Sequence, residues 1–314
     1  MNTTMRAVSQ DSFGGPEVLQ VVALPKPVAG ISEIVVRVHA AGVNPTDWKH
    51  RAGPLRLREP ARILGWDVSG VVEEVGVGVT LFTPGDEVFG MLPYPYGVGA
   101  YAEYAKATAR SFAHKPASVG HVEAAALPLA GLTAYQMLVD TAQVQPGQRV
   151  LVHAAAGGVG HLAVQIAKAR GAYVIGTASA PKHDLLRSLG ADELIDYRTT
   201  DFTEAAKDID VVVDTLGDDV RTRSLDVLRP GGTLVSIVLN GDWAGDVATG
   251  AARGVRVAGL IVEADHAGMR AIAALASSGA LRPQVEATFP LAEAAAAHTL
   301  GERGRTTGKL VLVV

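Results

Sequence analysis

The rhythm of hydrophobic and polar positions changes near residue 122. Upstream, apolar residues come in short β-branched runs, 34–38 and 68–72 among them, bounded by Gly, Pro and Asp. Such runs pack as strands on a pleated surface. Pro84, Gly85 and Asp86 form a turn signal that opens a further run at 87–89, because Pro fixes φ and Gly tolerates the reversal. Helical spacing is nearly absent here, which predicts a β-rich, partly open barrel.

Downstream the pattern is different. Residues 123–138 are Ala- and Leu-rich and helix-like, with Pro128 and Gly131 predicted to divide them. From Pro146 onward short apolar runs alternate with helical patterns, and strands are expected at 149–153, 173–177, 194–196, 210–214, 233–237 and 255–261. A helix opening at His161 should stop at Gly171; a second, 181–189, has Pro181 just inside its start and Gly190 just past its end, the asymmetry helices favour. Apolar strands alternating with helices imply a parallel sheet covered on both faces. Six of them match a doubly wound Rossmann α/β fold. A helix at 267–276 follows, and the chain ends in an apolar strand at 310–313. One strand cannot form a domain alone, so it is expected to return to the first. The predicted domains are 1–122 with 266–314, and 123–265.

A length of 314 residues suits two domains at roughly 100–200 residues each. With 28 Lys+Arg against 32 Asp+Glu, the net charge of -4 gives no general electrostatic case for nucleic acid or an anionic membrane. Cys is absent, which excludes disulfides, thiolate nucleophiles, iron–sulfur clusters and cysteine-ligated zinc. The most apolar stretch, 150–169, nears the roughly 18 residues of a membrane span. It contains His153, His161, Gln165, Lys168 and three glycines, and reads better as strand, turn and helix. No amino-terminal segment has a secretory layout, so a soluble, cytoplasmic protein is expected.

Between the first strand and helix of the second domain lie Ala155, Ala156, Gly157, Gly158, Val159 and Gly160. This is G-x-G-x-x-G with Ala in the first place. Glycines there let the backbone approach a pyrophosphate, and the helix amino terminus offers free N–H groups. The alternative is a tight turn that needs Gly for conformation alone. At the end of the next strand an NAD enzyme normally carries an acid for the ribose 2′-hydroxyl. This chain carries Thr177, Ala178, Ser179, Ala180, Pro181 and Lys182. A hydroxyl and an ammonium suit a 2′-phosphate, and the expected cofactor is NADPH. Lys182 could be an ordinary solvated lysine, but a cation in a first helical turn opposes the dipole.

The chain resembles the zinc-free quinone oxidoreductases of the medium-chain dehydrogenase/reductase superfamily, the group that includes zeta-crystallin. The likeness runs nearly end to end, through 40–47 (AAGVNPTD), 64–72 (LGWDVSGVV), 84–88 (PGDEV), 99–104 (GAYAEY), 126–134 (ALPLAGLTA), the glycine turn and Gly308–Lys309. The resemblance implies a GroES-like first domain. Zinc members have Cys at the place of Asn44 and His at the place of Trp66, and neither Asn nor Trp is a credible catalytic zinc ligand. Without a metal to stabilise an alkoxide, the acceptor must carry developing negative charge itself, as quinones and α,β-unsaturated carbonyls do.

The resemblance also places Asn44 beside the nicotinamide ribose and substrate, Thr133 near the nicotinamide, and Gly157, Gly158, Val159 and Gly160 on the pyrophosphate. Ser179, Lys182 and Tyr197 match positions around the 2′-phosphate. The family adds a carboxy-terminal basic residue there; Arg303, Arg305 and Lys309 compete for the place, and Lys309 is taken for it. Asp67 either buttresses the pocket or serves a turn, and Trp66 either walls the acceptor site or fills the core. Tyr94, Tyr96 and Tyr101 could border the pocket. His39, His153 and His161 read as structural. No spacing marks a metal site or a hydrolase elbow.

The expected activity is hydride transfer from NADPH to a quinone or similar conjugated carbonyl. A carbon–carbon double-bond reductase, possibly biosynthetic, and a non-catalytic NADPH-binding scaffold are the alternatives. The expected partner is a small molecule, and pairing of the edge strand near 255–261 would give a homodimer.

Overall fold

Strand Glu33–Val43 organises the first part of the protein, and its neighbours explain its burial. The computed structural model describes residues 3–96 and 99–314. Glu33–Val43 is flanked by Lys309–Val313, Asp67–Val75 and Tyr104–Thr108. Its side chains are therefore mostly buried on both faces, with Arg37 the exposed exception. The sheet continues outward through Val285–Pro290 on one side, and through Glu87–Met91 and Phe112–His114 on the other. Thr4–Ser9 and Gln20–Pro25 form a separate antiparallel pair.

The closing strand sets the geometry that matters later. Lys309–Val313 runs antiparallel to Glu33–Val43 with Leu310 opposite Val43 and Val313 opposite Ala40. That register brings Lys309 alongside Asn44, the residue after Val43. At Gly42 a Cβ would lie 2.3 Å from the carbonyl oxygen of Ala125 and 2.6 Å from Asp67 Oδ2, so only glycine admits this close approach.

The second part is a six-stranded parallel sheet in the order Glu193–Ile195, Tyr173–Thr177, Arg149–Val152, Ile209–Asp214, Leu228–Ser236 and Arg256–Gly259. The first strand in sequence lies between the second and the fourth, which is the doubly wound arrangement expected from the alternating pattern. Leu151, Ile175, Val212 and Leu234 are buried in its core.

The chain divides into two compact units, Met1–Leu132 with Glu263–Val314, and Thr133–Val262. The division falls later than the change of rhythm at 122 and slightly before 266. Ala125 and Ala126 are buried with Ala40 and Val311, so helix His121–Ala125 packs with the strand-rich unit although its composition resembles the other. Gly131 does not divide its helix, which runs unbroken over Pro128–Tyr135. A Cβ at Gly131 would meet Ile272 at 3.2 Å, so this glycine serves packing. The expected 181–189 helix is a tight turn, Ala180–Lys182, followed by His183–Ser188. Residues 150–169 contribute to Arg149–Val152, a turn and Gly160–Ala169. Among the described residues no helix is long and apolar enough to cross a membrane.

Candidate active site

The glycine turn is built by local bonds. Ala154 sits in the left-handed region at φ 46, and its carbonyl accepts the Gly157 N–H at 2.8 Å. Thr177, on the adjacent strand, accepts the N–H of Ala154 on its hydroxyl at 3.2 Å and that of Ala155 on its carbonyl at 3.0 Å. His153 supports that threonine. The Ser224 hydroxyl donates to Val220 O at 2.6 Å and therefore accepts from His153 Nε2–H at 2.9 Å; Nδ1 is left to accept from Thr177 at 3.2 Å. This fixes a neutral tautomer, in keeping with burial that pushes the imidazole down to about 4. His161 donates from Nδ1 to Gly157 O at 2.8 Å, and His39 stacks on His121 at 4.3 Å.

The glycines of the turn do different jobs. A Cβ at Gly160 would come 2.3 Å from Ala154 O and 2.8 Å from Ala155 Cα, so Gly160 lets the helix start against the turn. At Gly157 the nearest such atom is Ala154 O at 3.2 Å. Gly157, Gly158 and Val159 are half-buried, at the amino terminus of Gly160–Ala169. A pyrophosphate fits such a turn: backbone N–H groups can reach it and side chains do not stand in its way.

Parallel pairing brings the next three candidates onto adjacent loops. Ile195 lies opposite Thr177, so Tyr197 follows one strand as Ser179 and Lys182 follow the other. Ser179 is buried, Lys182 half-buried and Tyr197 exposed. Asp196 ties the loops together, accepting N–H groups of Ala180 at 3.2 Å and Arg198 at 3.0 Å. The Arg198 amide and, less so, other donors and cations hold this carboxyl below its usual range. Arg198, which the sequence reading passed over, places its guanidinium 5.9 Å from the Tyr197 ring centre and adds a second cation. Thr133 is buried on Pro128–Tyr135.

Asn44 belongs to a buried polar cluster in the strand-rich unit. Its backbone N–H donates to Asp47 Oδ2 at 2.7 Å, and its Nδ2 donates to Asp67 Oδ2 at 2.9 Å. The other oxygen of Asp67 accepts the Leu129 N–H at 2.6 Å, which settles Asp67 as a buried anchor rather than a turn residue. Lys309 donates to Asn44 Oδ1 and stands 3.3 Å from Asp67 Oδ2. This corrects the placement of Lys309 among the 2′-phosphate residues. Antiparallel pairing with Glu33–Val43 buries Lys309 to 3% exposure beside Asn44, where the carboxylate of Asp67 already takes its charge. Arg303 and Arg305 are exposed.

Asp47 is fully buried, and burial raises its carboxyl to about 7. Its Oδ2 also accepts the Tyr101 hydroxyl at 2.7 Å, and that hydroxyl lies 3.1 Å from His298 Nε2. Burial drives His298 down to about 3 and Tyr101 well above its ordinary value. Tyr101 is thus a buried strut and does not border a pocket. Trp66 is 0% exposed, packed at 5.1 Å on His50 and 5.2 Å on Tyr94; it is a core residue. Tyr94 is half-buried. Its hydroxyl meets Thr46 Oγ1 at 3.0 Å, and it lines a cavity of about 440 Å³ with Thr108, Arg110, Ser111, Asp265 and His266. Tyr96 is exposed. Among the described residues no three His, Asp or Glu side chains converge as metal ligands.

Comparison with known proteins agrees with this architecture. Residues 30–117 match the family described as alcohol dehydrogenase GroES-like domain, and 189–312 match zinc-binding dehydrogenase. The 2-haloacrylate reductase of Burkholderia sp is 37% identical, with 96% of each chain covered. The quinone oxidoreductase from Coxiella burnetii superposes with a TM-score of 0.91 at 38% identity, over 99% of both chains. The Escherichia coli quinone oxidoreductase complexed with NADPH gives 0.88 at 32%, over 98% of this chain and 100% of that one.

Proposed function

The chain belongs to the medium-chain dehydrogenase/reductase superfamily, in the branch of the quinone oxidoreductases, and we propose that it passes a hydride from NADPH to a quinone or similar conjugated carbonyl without zinc. It is an NAD(P)H oxidoreductase by family. The observation that carries the metal-free reading is the cluster of Asn44, Asp67 and Lys309. Asn44, buried Trp66 and a chain without Cys do not supply the deprotonated ligands that a zinc site needs, and the side chain of Asn44 is bonded to Lys309 and Asp67 instead.

The hydride is the chemistry NADPH supplies when bound. Gly157, Gly158, Val159 and Gly160 would hold its pyrophosphate, Thr133 its nicotinamide, and Ser179, Lys182 and Tyr197, joined by Arg198, its 2′-phosphate. Ser179 and Lys182 stand at the strand end where an acid would favour the unphosphorylated coenzyme. Asn44 would donate an N–H to the acceptor oxygen as negative charge develops on it, the kind of fixed donor that stabilises an oxyanion. The edge strand Arg256–Gly259, with Leu239 and Ile261 exposed nearby, supports a homodimer, which light scattering would test.

Initial rates of NADPH and NADH oxidation with 1,4-benzoquinone, 9,10-phenanthrenequinone and a panel of enones test the proposal. Turnover of a quinone by chelator-treated protein, faster with NADPH, is the expected result. Activity that vanishes with chelation and returns with zinc would overturn it. The likeness to a 2-haloacrylate reductase favours a second reading, reduction of an activated carbon–carbon double bond; faster turnover of enones or 2-haloacrylates than of any quinone would select it.

A further inference from the structure

We infer that Lys309 and Asp67 are positioning residues that lock the side-chain amide of Asn44 in one orientation, as a hydrogen-bond donor toward the acceptor. The two ends of an amide look alike in shape, and only their neighbours distinguish them. Here the neighbours are unambiguous. Lys309 has donors and no acceptor, so the atom it meets must be Oδ1. Asp67 Oδ2 lies 2.9 Å from the other end, which must be Nδ2. The flipped amide would set its N–H₂ against an ammonium and its oxygen against a carboxylate, two repulsions in a site where all three side chains are no more than 3% exposed. Low exposure strengthens both the native pairing and the penalty for reversing it.

The lock leaves a defined remainder. Asn44 Oδ1 is occupied, and one Nδ2 proton goes to Asp67. The second Nδ2 proton is what this side chain can still offer a ligand. Lys309 is paired with Asp67, so the two charges together orient a neutral donor. Asp67 is held in turn by the Leu129 N–H at 2.6 Å, and Asn44 by the bond from its own N–H to Asp47. Residues far apart in the chain, 44, 67 and 309, thus act through one amide.

The catalytic half of this inference rests on the proposed hydride transfer to a conjugated carbonyl; the orientation of the amide does not. The variant to make is Lys309→Met with Asp67→Asn, which removes both charges together and avoids stranding either. In the cofactor-free protein, the Asn44 side-chain amide, identified by its loss in Asn44→Ala, should give nitrogen–proton NMR signals that exchange slowly and are well separated. In the double variant they should collapse toward ordinary, fast-exchanging positions. Unchanged signals would overturn the lock whatever the enzyme reduces.

With an acceptor that the wild type turns over, the double variant should lose kcat by about 10–100-fold, the usual cost of removing a supporting hydrogen bond. Its Kd for NADPH should stay within about twofold. Asn44→Ala should then cost little more in that background than the double variant already does, because one function is being removed twice. Full kcat in the double variant, or losses that simply multiply, would overturn the positioning role. NMR signals that collapse as expected, in a protein that reduces no acceptor, would retain the lock and discard the proposed activity instead.

Discussion

The glycine turn and the Asn44 cluster solve opposite problems. The turn spans seven consecutive residues, 154–160, lies half open, and presents backbone. Its side chains matter mainly by being small. The cluster joins residues separated by as many as 265 positions, is largely buried, and presents one side-chain amide held by charge. Local geometry suffices where the ligand group is a large anion that a helix terminus already attracts. A single neutral donor has no such field to align it, and its orientation must be imposed by partners. The difference teaches that damage to the turn should appear in binding, and damage to the cluster first in stability.

The largest effect should come from breaking the cluster's charge balance. Lys309→Ala leaves the fully buried Asp67 without its cation, and stranding one member of a buried pair typically costs about 3–5 kcal/mol. Denaturant unfolding should show that loss, and adding Asp67→Asn should recover most of it. If the single variant is as stable as the wild type, the cluster is no more demanding than the turn.

Next in size is a pH effect beside the cluster. Asp47 holds its proton up to about pH 7 in the folded protein, whereas an unfolded aspartate releases it near pH 3.9. Between those values the folded state binds more protons, so this group makes stability fall as pH rises. His298 works in the other direction. Its folded value of about 3 lies below the unfolded value near 6.5, so stability rises with pH across that window. The stability of Asp47→Asn minus that of the wild type isolates the first contribution. It should grow from pH 4 to pH 7, by up to about 4 kcal/mol; a flat difference would show that Asp47 is ionised throughout.

The turn should respond with smaller changes, in binding except where a glycine packs against backbone. Lys182→Ala should weaken NADPH by about 1.5–3 kcal/mol, the value of a hydrogen bond to a charged group, with NADH nearly unaffected; calorimetric titration of both coenzymes measures this, and equal weakening would remove Lys182 from the 2′-phosphate. Gly157→Ala should cost about tenfold in affinity for both coenzymes with little change in melting temperature. Gly160→Ala should instead lower the melting temperature, since its Cβ would strike backbone at 2.3 Å.

What could be read from the chain follows the same division. The β-rich beginning, the six alternating strands, the glycine turn and the pair of loops after 177 and 195 are legible because each is written in contiguous residues: a period, a turn signal, a run of glycine. Strand Val285–Pro290 and helix Ala294–Glu302 were missed although both are marked in the sequence: Val285, Ala287 and Phe289 alternate with other residues, and four alanines at 294–297 favour a helix. Gly131 misled because a glycine that admits a neighbouring side chain looks in sequence like one that breaks a helix. The second cation, Arg198, could have been found as the neighbour of Tyr197.

The sequence by itself determined that the chain builds a doubly wound nucleotide sheet and a strand-rich unit, and that no cysteine is available to hold a metal, since these depend on period, composition and adjacency. Only the tertiary structure decided where Lys309 goes. Its identity as a cation suits a phosphate and a carboxylate equally well. The antiparallel register of the last strand beside Val43 and Asn44, a non-local pairing with no local signature, delivered it to Asp67.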